Sequence, residues 1–258
     1  ETIVMTDALG IDQGWIVLRN YIQPEQLKPL LAGTCLENYE LREEDPIKLR
    51  EELIALAKTE GRKAGDGTCG SCPVDSHFNV KGVGTVVLGS VIDGWFRKHD
   101  KMTVFPLGRE VILKSIQKHD LDAEDAVKGD HVGLALRNIE SDELDRGFVI
   151  TTDKSVKMSK RIEGNVSLVK YWPSALKEGM VLHIGHWMQM VPSRVTSVEE
   201  SADFRTAKVV FELESDIIHR PGDKATIMYL EGGKLRVAGS VILLSLIHIS
   251  EPTRPLYI

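Results

Sequence analysis

The sequence lacks two features that would each place it in a particular class of protein. It has only 3 Cys among 258 residues, too few for a disulfide framework, and this scarcity indicates a reducing compartment. No apolar run reaches the roughly 18 residues that a membrane-spanning helix needs. A disulfide-rich secreted protein and a membrane protein are therefore excluded, and we expect a cytoplasmic protein without a membrane partner.

The sequence also lacks an excess of positive charge. It has 32 Lys and Arg against 38 Asp and Glu, a net charge of -6. This balance argues against a protein that binds any polyanion through its total charge, although it allows a local basic patch. Paired catalytic carboxylates, a nucleophile elbow and a cluster of metal ligands are absent as well. We therefore expect neither a catalytic residue nor a metal site in this chain.

Residues 1–62 have the alternating pattern of an α/β unit. The continuous apolar run at residues 15–18 is typical of a buried parallel strand, and residues 35–41 are a second candidate strand. Asp45 is a predicted N-cap, Pro46 suits the first turn, and the apolar spacing that follows predicts an amphipathic helix. The order helix, strand, helix, strand, helix is that of the end of an open α/β sheet.

A linker rich in glycine and polar residues is predicted at residues 63–72. It contains Cys69 and Cys72, whose thiols could form a redox pair or half of a zinc site. No second cysteine pair or nearby histidine doublet completes such a site in the sequence. Two thiols in a flexible linker are the other interpretation.

Short β runs separated by turns rich in Gly, Asp and Lys follow the linker. Strands at this spacing, with no long helix between them, predict two small antiparallel barrels in series. We place the first barrel at residues 73–152 and the second at residues 157–243. The predicted fold class is an α/β remnant of a GTPase-like domain followed by two antiparallel β-barrels.

The end of the chain, residues 244–258, has a different character. The run from Leu244 to Arg254 matches the in-frame translation of a transposase-type sequencing adapter, so we expect a tail that is not native. A genuine terminal strand is the alternative, because residues 244–249 alternate with a period of two. The chain also starts at Glu1 rather than at methionine. Together the two ends lead us to expect a fragment of a larger protein.

The first predicted barrel carries an ordered set of motifs in which glycine permits tight corners. These are Gly82-Val83-Gly84-Thr85-Val86, Gly89, Gly94, Lys98-His99-Asp100-Lys101 and Lys128-Gly129-Asp130-His131-Val132-Gly133. The set resembles the second domain of translational GTPases of the elongation factor Tu group, and is most similar to archaeal selenocysteine-specific elongation factor. In the second predicted barrel, Arg220-Pro221-Gly222-Asp223 and Arg236-Val237-Ala238-Gly239 resemble third-domain turns and strands.

The resemblance implies that the barrels bind the acceptor end and T arm of a tRNA, or the ribosome, and not DNA. Gln117 falls where the family has the platform for the terminal adenine, and His119 follows at the rim of that pocket. Its wall corresponds to Val132, Leu134 and Leu136. The next rim position holds Asp120 where the bacterial factor has arginine, and a carboxylate there would repel phosphate.

The resemblance also implies a GTPase-like domain at residues 1–62, with Asn-Lys-x-Asp after the first strand and Ser-Ala-Lys after the second. The sequence has Arg19-Asn20-Tyr21-Ile22 at the first place and Leu36-Glu37-Asn38-Tyr39-Glu40 at the second, so we expect guanine recognition to be lost. We expect no cofactor in this chain; GTP and Mg²⁺ are the cofactors that an active parent protein would use. The alternative is a genuine GTPase that delivers a specialised aminoacyl-tRNA, such as selenocysteinyl-tRNA, through unusual guanine contacts. A scaffold that merely kept the barrels is a third hypothesis.

Overall fold

The computed structural model describes residues 1–60, 69–231, 233 and 235–244, and it consists of an α/β unit followed by two β-barrels. This architecture confirms the predicted fold class. Within the described residues, no helix combines the length and the apolar character needed to cross a membrane.

The α/β unit is built on two parallel strands. Its elements are α1 (Thr2–Leu9), β1 (Trp15–Leu18), α2 (Pro24–Leu31), a 3-10 turn (Cys35–Asn38), β2 (Glu40–Glu43) and α3 (Pro46–Glu60). Gly10 ends α1 in the left-handed conformation with a φ of 72°, as its position predicts. Asp45 Oδ1 accepts the backbone N–H of Lys48 at 3.0 Å, which confirms Asp45 as the N-cap of α3.

The segment before β2 does not form the strand that residues 35–41 predict. Its first four residues make the 3-10 turn, and the strand begins only at Glu40. Asp7 Oδ1 accepts the backbone N–H of Cys35 at 2.8 Å, and this bond holds the turn against the end of α1. A contact 28 positions away thus overrides the local β pattern.

Two apolar faces of the α/β unit are more exposed than predicted. β1 pairs in parallel with β2, as predicted, but Val17 is 38% exposed and β1 is not a buried strand. The predicted helix α3 forms, yet Ile47 is 73% and Leu53 54% exposed. A sheet of two strands is too narrow to be covered on both faces, because such burial needs helices packed over several parallel strands.

The first barrel contains β3 to β11 and closes through six of these strands in the order β10-β4-β3-β11-β6-β7, with β7 paired to β10. The strands are β3 (Ser71–Val80), β4 (Gly84–Ser90), β5 (Trp95–Arg97), β6 (Lys101–Phe105), β7 (Arg109–Lys118), β8 (Leu121–Ala123), β9 (Asp125–Val127), β10 (His131–Arg137) and β11 (Val149–Thr151). β8 extends β7 as a hairpin, while β5 and β9 form a separate ribbon. Alternate residues point inward and fill the core, among them Val87, Met102, Leu113 and Leu134.

The second barrel contains six strands in the closed order β12-β15-β14-β13-β16-β17. They are β12 (Lys157–Leu168), β13 (Val181–His186), β14 (Gln189–Glu200), β15 (Thr206–His219), β16 (Lys224–Met228) and β17 (Val237–Leu244). Its core is apolar and includes Leu182, Ile184, Phe211 and Ile227. Every strand pairs with two neighbours, so the barrel has no free edge.

The structure changes where the predicted linker ends and where the predicted tail begins. Ser71 and Cys72 lie in β3 rather than in a linker, and Leu244 pairs with Glu163 as the last residue of β17. Cys72 is fully buried, and burial raises the pKa of its thiol to about 12, which disfavours the thiolate form that a metal or redox site would use. Among the described residues, no group of three or more His, Cys, Asp and Glu could hold a metal ion. Residues 61–68, which include residues 63–68 of the predicted linker, and residues 245–258 of the predicted tail lie outside the described part.

Helix α1 packs into the second barrel, although most of that barrel lies more than 150 residues later. Val4 and Ala8 belong to the same apolar core as the barrel strands. Glu1 Oε1 accepts the backbone N–H of Arg236 at 2.9 Å, and Lys170 Nζ donates to the carbonyl of Ala32 at 2.6 Å. Helix α1 and the second barrel therefore share one core.

The two barrels meet around Arg220, in the turn after β15. Its guanidinium forms an ion pair with Asp93 of the first barrel and lies 3.8 Å from Asp153 at the junction and 3.3 Å from Asp223. The ring of Trp187 lies 5.1 Å from the guanidinium. The apolar part of this contact consists of Phe105, Val149, Val156, Trp187 and Ile218. One cation thus joins carboxylates from both barrels.

A buried histidine makes the second barrel sensitive to acid. His219 is fully buried, with Nε2 3.0 Å from Ser159 Oγ, and burial is the main cause that lowers its pKa below the ordinary 6.5. Below about pH 6.5 the unfolded chain binds a proton at this histidine that the folded chain does not bind. The contribution of neutral His219 to the free energy of unfolding is therefore complete above this pH and is lost as the pH falls. We expect stability to drop by up to about 1.4 kcal/mol per pH unit towards pH 5. Asp223 has a lowered pKa as well, but a carboxyl titrates below about pH 4.

Urea unfolding of the wild type and of His219→Gln between pH 5 and pH 7.5 measures this effect. The variant is expected to lose most of the pH dependence in that range. Equal slopes for the two proteins would show that another group is responsible.

Candidate nucleic-acid interface

On the outer face of the first barrel, Gly133 of β10 is a glycine between two neighbouring strands that carry larger side chains. Gly133 pairs with Leu88 of β4 on one side and with Gln117 of β7 on the other. A Cβ at Gly133 would lie at van der Waals distance from both neighbours, 3.5 Å from Leu88 Cδ2 and 3.9 Å from Gln117 Cβ. We call Leu88, Gly133 and Gln117 the Gly133 notch. Gly133 itself is half-buried, and the side chains of Leu88 and Gln117 on either side of it are exposed.

A polar rim borders the notch one step further along the strands. His131 pairs with Ser90 across β10 and β4, and its Nδ1 lies 2.8 Å from Ser90 Oγ. On the third strand, His119 and Asp120 form the exposed turn between β7 and β8, with φ values of 49° and 63°. Of the predicted site residues, Gln117 near the end of β7 is therefore part of the notch. His119 lies two positions later, in the turn that follows β7.

Two of the four carboxylates in the acidic stretch at residues 120–125 pair with lysines of the first barrel. Lys98 Nζ lies 2.8 Å from Glu124 Oε1, and Lys118 Nζ lies 3.4 Å from Asp125 Oδ1. Asp122 Oδ1 accepts a hydrogen bond from the amide of Gln117 at 3.2 Å, which fixes the orientation of that side chain. These pairings reduce the repulsion that the stretch would exert on a phosphate backbone.

The other predicted site residues are not at the surface. Val132, Leu134 and Leu136 are only 4%, 0% and 3% exposed, and their side chains lie in the core of the first barrel. They cannot line an external pocket, so this part of the prediction is wrong for their side chains. The outward positions of β10 between them are Gly133 and Ala135. Strict alternation of apolar residues at 132, 134 and 136 is the sequence signal that could have assigned the inner face correctly.

A second cavity, of about 730 Å³, lies at the carboxyl ends of β1 and β2. In open parallel sheets this edge is where ligands bind. The loop after β1 forms a tight turn in which the N–H of Ile22 donates to the carbonyl of Arg19 at 3.1 Å. Asn20 and Tyr21 adopt φ values of 55° and 62°, a conformation that is costly for a bulky residue. Tyr21 is 98% exposed and lines the cavity.

Charged groups from both strands meet in this cavity. Arg19 Nε lies 2.7 Å from Glu44 Oε1, with side chains that are 67% and 41% exposed. Sequence analysis compared residues 36–40 with the Ser-Ala-Lys motif that the family has after its second strand. Because β2 ends at Glu43, the residues that follow the strand are Glu44 and Asp45. These residues do not match Ser-Ala-Lys either. Ile22 still stands where the guanine-reading carboxylate is expected.

The sequence of the chain is similar to a known family over the first barrel and to known proteins over most of its length. Residues 84–151 match the family described as Elongation factor Tu domain 2. The chain is 33% identical to the Methanocaldococcus jannaschii protein called Uncharacterized protein MJ0325, over 93% of the chain and 74% of that protein. It is 29% identical to the Selenocysteine-specific elongation factor of the same organism, over 71% of the chain. The chain spans 42% of the length of this second relative.

Solved structures show the same fold. The apo form of translation elongation factor SelB from Methanococcus maripaludis superposes with a TM-score of 0.82 at 20% identity, over 95% of the chain and 60% of that protein. A bacterial selenocysteine-specific elongation factor, EF-Sec, superposes with a TM-score of 0.74 at 22% identity, over 93% of the chain and 41% of that protein.

Proposed function

Since the chain belongs to the translational GTPase superfamily, in one family with the Methanocaldococcus jannaschii protein MJ0325, we propose that its barrels bind the 3′ end of a tRNA in the cytoplasm. The single observation that carries this proposal is the Gly133 notch. It places a glycine without a side chain between an exposed aliphatic and an exposed amide side chain on the outside of the first barrel. A terminal base can stack on such a surface without sequence-specific contacts.

Stacking is a suitable source of affinity for this chain. Its net charge of -6 argues against attraction by total charge, and burial of the face of a base against Leu88 contributes about 25 cal/mol for each Å² of apolar surface removed from water. Ser90 and His131 at the rim provide hydroxyl and imidazole groups for the sugar and phosphate of the same nucleotide. The ribosome is the second proposed partner, because elongation factors deliver tRNA to it.

The proposal predicts that filling the notch weakens RNA binding. Gly133→Leu is expected to reduce affinity by about tenfold, because the new side chain occupies the stacking surface. The position has ordinary β backbone and a new Cβ makes only van der Waals contacts, so the barrel should fold normally. Fluorescence anisotropy with a 5′-labelled acceptor-arm hairpin ending in CCA measures the affinity, at several salt concentrations.

Two controls separate stacking from other effects. Thr103→Leu adds a similar side chain to the outer face of β6, away from the notch, and is expected to leave affinity unchanged. A hairpin whose 3′ end is CC followed by an abasic nucleotide lacks the terminal base and is expected to bind the wild type about as weakly as the CCA hairpin binds Gly133→Leu. Equal affinity of the wild type for both hairpins would contradict the proposal.

We also propose that the α/β unit does not recognise guanine through the contact typical of the family. Guanine recognition by a GTPase needs a carboxylate after β1, and Ile22 stands there. The residues present therefore do not fit GTP in that mode.

A further inference from the structure

The outer face of the second barrel carries a histidine whose ring has an unpaired nitrogen. Leu182 and Ile184 are fully buried in the barrel core, so His183 between them on β13 points outward. Its Nδ1 is nevertheless shielded from water, and it has no hydrogen-bond partner among the described residues. Unpaired buried polar atoms are rare in folded proteins, and a bound ion is one of the explanations for them.

The cross-strand neighbours of this histidine carry no charge. His183 lies between a proline of β14 and Met228 of β16. Two positions further along β13, Gly185 pairs with Met190 of β14 and with Thr226 of β16. Thr226 Oγ1 already donates to the carbonyl of Gly185 at 3.2 Å. Among these neighbours, the groups left to approach the imidazole are the thioethers of Met190 and Met228.

Both thioethers lie within reach of the imidazole. A Cβ at Gly185 would lie 3.6 Å from Met190 Sδ and 3.2 Å from its Cε, so this thioether lies over β13, the strand that carries His183. Met190 is the diagonal neighbour of His183, and long side chains bridge the roughly 7–8 Å between diagonal positions. Met228 is directly opposite, where Cβ atoms are only about 4.5–5.5 Å apart. Methionine has three rotatable side-chain bonds, so both sulfurs can turn towards Nδ1.

We propose that His183, Met190 and Met228, here called the His183 cluster, bind a soft monovalent cation of the Cu⁺ type. The two thioether sulfurs and Nδ1 of the imidazole are the ligands. Thioethers select Cu⁺, and imidazole suits copper as well. Hard cations such as Ca²⁺ and Mg²⁺ need oxygen ligands, which these three side chains do not provide. The inference goes beyond the proposed RNA-binding function and does not depend on it.

Titration with Ag⁺ in chloride-free buffer tests the site, because Ag⁺ has the charge and softness of Cu⁺ and is stable in air. The three cysteine thiols also bind soft cations, so the readout must be specific to the cluster. In the full chain labelled with ¹³C at the methionine methyl groups, Ag⁺ is expected to shift the resonances of Met190 and Met228 once the thiols are saturated. The resonance of Met158, which is exposed on β12, should not shift. Zn²⁺ should shift neither Met190 nor Met228, because it takes thiolate, imidazole and carboxylate ligands.

The substitutions His183→Gln, Met190→Leu and Met228→Leu remove the ligands one at a time. Each is expected to weaken Ag⁺ binding at the cluster by at least about tenfold, since loss of a residue that only supports a metal ligand already costs about tenfold to a hundredfold. Leucine nearly conserves the volume of methionine, so the two leucine variants should fold normally. Met158→Leu removes an exposed methionine elsewhere on the barrel and is the matched control, with an unchanged affinity expected.

The proposal would be overturned if the methyl resonances of Met190 and Met228 stayed in place when Ag⁺ is in excess over the three thiols. An Ag⁺ affinity that none of the three ligand substitutions changes would overturn it as well. Equal methyl shifts with Zn²⁺ would contradict a site for soft cations. Binding of the CCA hairpin should be unaffected by these substitutions, so failure here and failure of the proposed function are distinguishable.

Discussion

Gly94→Ala is expected to destabilise the first barrel by about 3–5 kcal/mol. Gly94 lies in the corner between β4 and β5 with a φ of 58°, and an added Cβ would overlap the carbonyl oxygen of Cys69. The same Cβ would lie 2.5 Å from the carbonyl carbon of Cys69 and 3.2 Å from Cα of Gly70. All three neighbours are backbone atoms, so the clash cannot be relieved by rotation of a side chain.

Gly108→Ala is the matched control for this prediction. Gly108 has nearly the same conformation, with a φ of 64°, but a Cβ there would meet nothing within 4 Å. This variant is expected to lose only the conformational cost of a left-handed residue, about 1–2 kcal/mol. Urea unfolding monitored by circular dichroism compares the two. Equal losses would show that the backbone conformation, and not the close approach to Cys69, determines the cost.

Arg220→Met is expected to uncouple the two barrels and to destabilise the chain by about 2–4 kcal/mol. The side chain of Arg220 is 22% exposed and faces Asp93, Asp153 and Asp223. Without the guanidinium, carboxylates that are partly buried would remain together with no cation between them. Burial by itself raises the pKa of Asp223, but hydrogen bonds from His186 and from the Arg220 backbone, together with the Arg220 charge, outweigh it and lower that pKa.

Calorimetry is the appropriate measurement, because it resolves barrels that unfold together from barrels that unfold separately. The wild type is expected to unfold in one transition and Arg220→Met in two, with the first at a lower temperature. Arg194→Met removes an exposed arginine from the second barrel and should shift the transition little. The double variant Asp93→Asn with Arg220→Met should be less destabilised than the sum of the single variants. Additive losses would contradict a direct coupling between these two side chains.

Several local features were predictable because their causes lie within a few residues. The left-handed Gly10 and the Asp45 cap of α3 follow from residue type and neighbouring pattern. The alternation of apolar residues in β10 also indicates that Val132, Leu134 and Leu136 face the core, whereas the family resemblance places them at the wall of an outer pocket. In each case the physical cause is short-range: a φ value, a cap or a period of two.

Other features depend on contacts that the sequence order does not contain. Asp7 holds Cys35 in a turn and cancels a strand, and α1 completes the core of a barrel far along the chain. The Gly133 notch exists because the register of three strands places Leu88 and Gln117 on either side of one glycine. Register is set by closure of the whole barrel, so no single strand can reveal it.

The sequence by itself determined the succession of an α/β unit and two barrels, because hydrophobic period and turn residues act locally. The turn Arg220-Pro221-Gly222-Asp223 was recognisable as a turn for the same reason. Only the tertiary structure decided that its arginine reaches Asp93, 127 positions earlier, and joins the barrels. It also decided that Arg19 meets Glu44 in a cavity between two strands. Pairings of this kind arise when separate elements pack together, and packing depends on the complete fold rather than on any one segment.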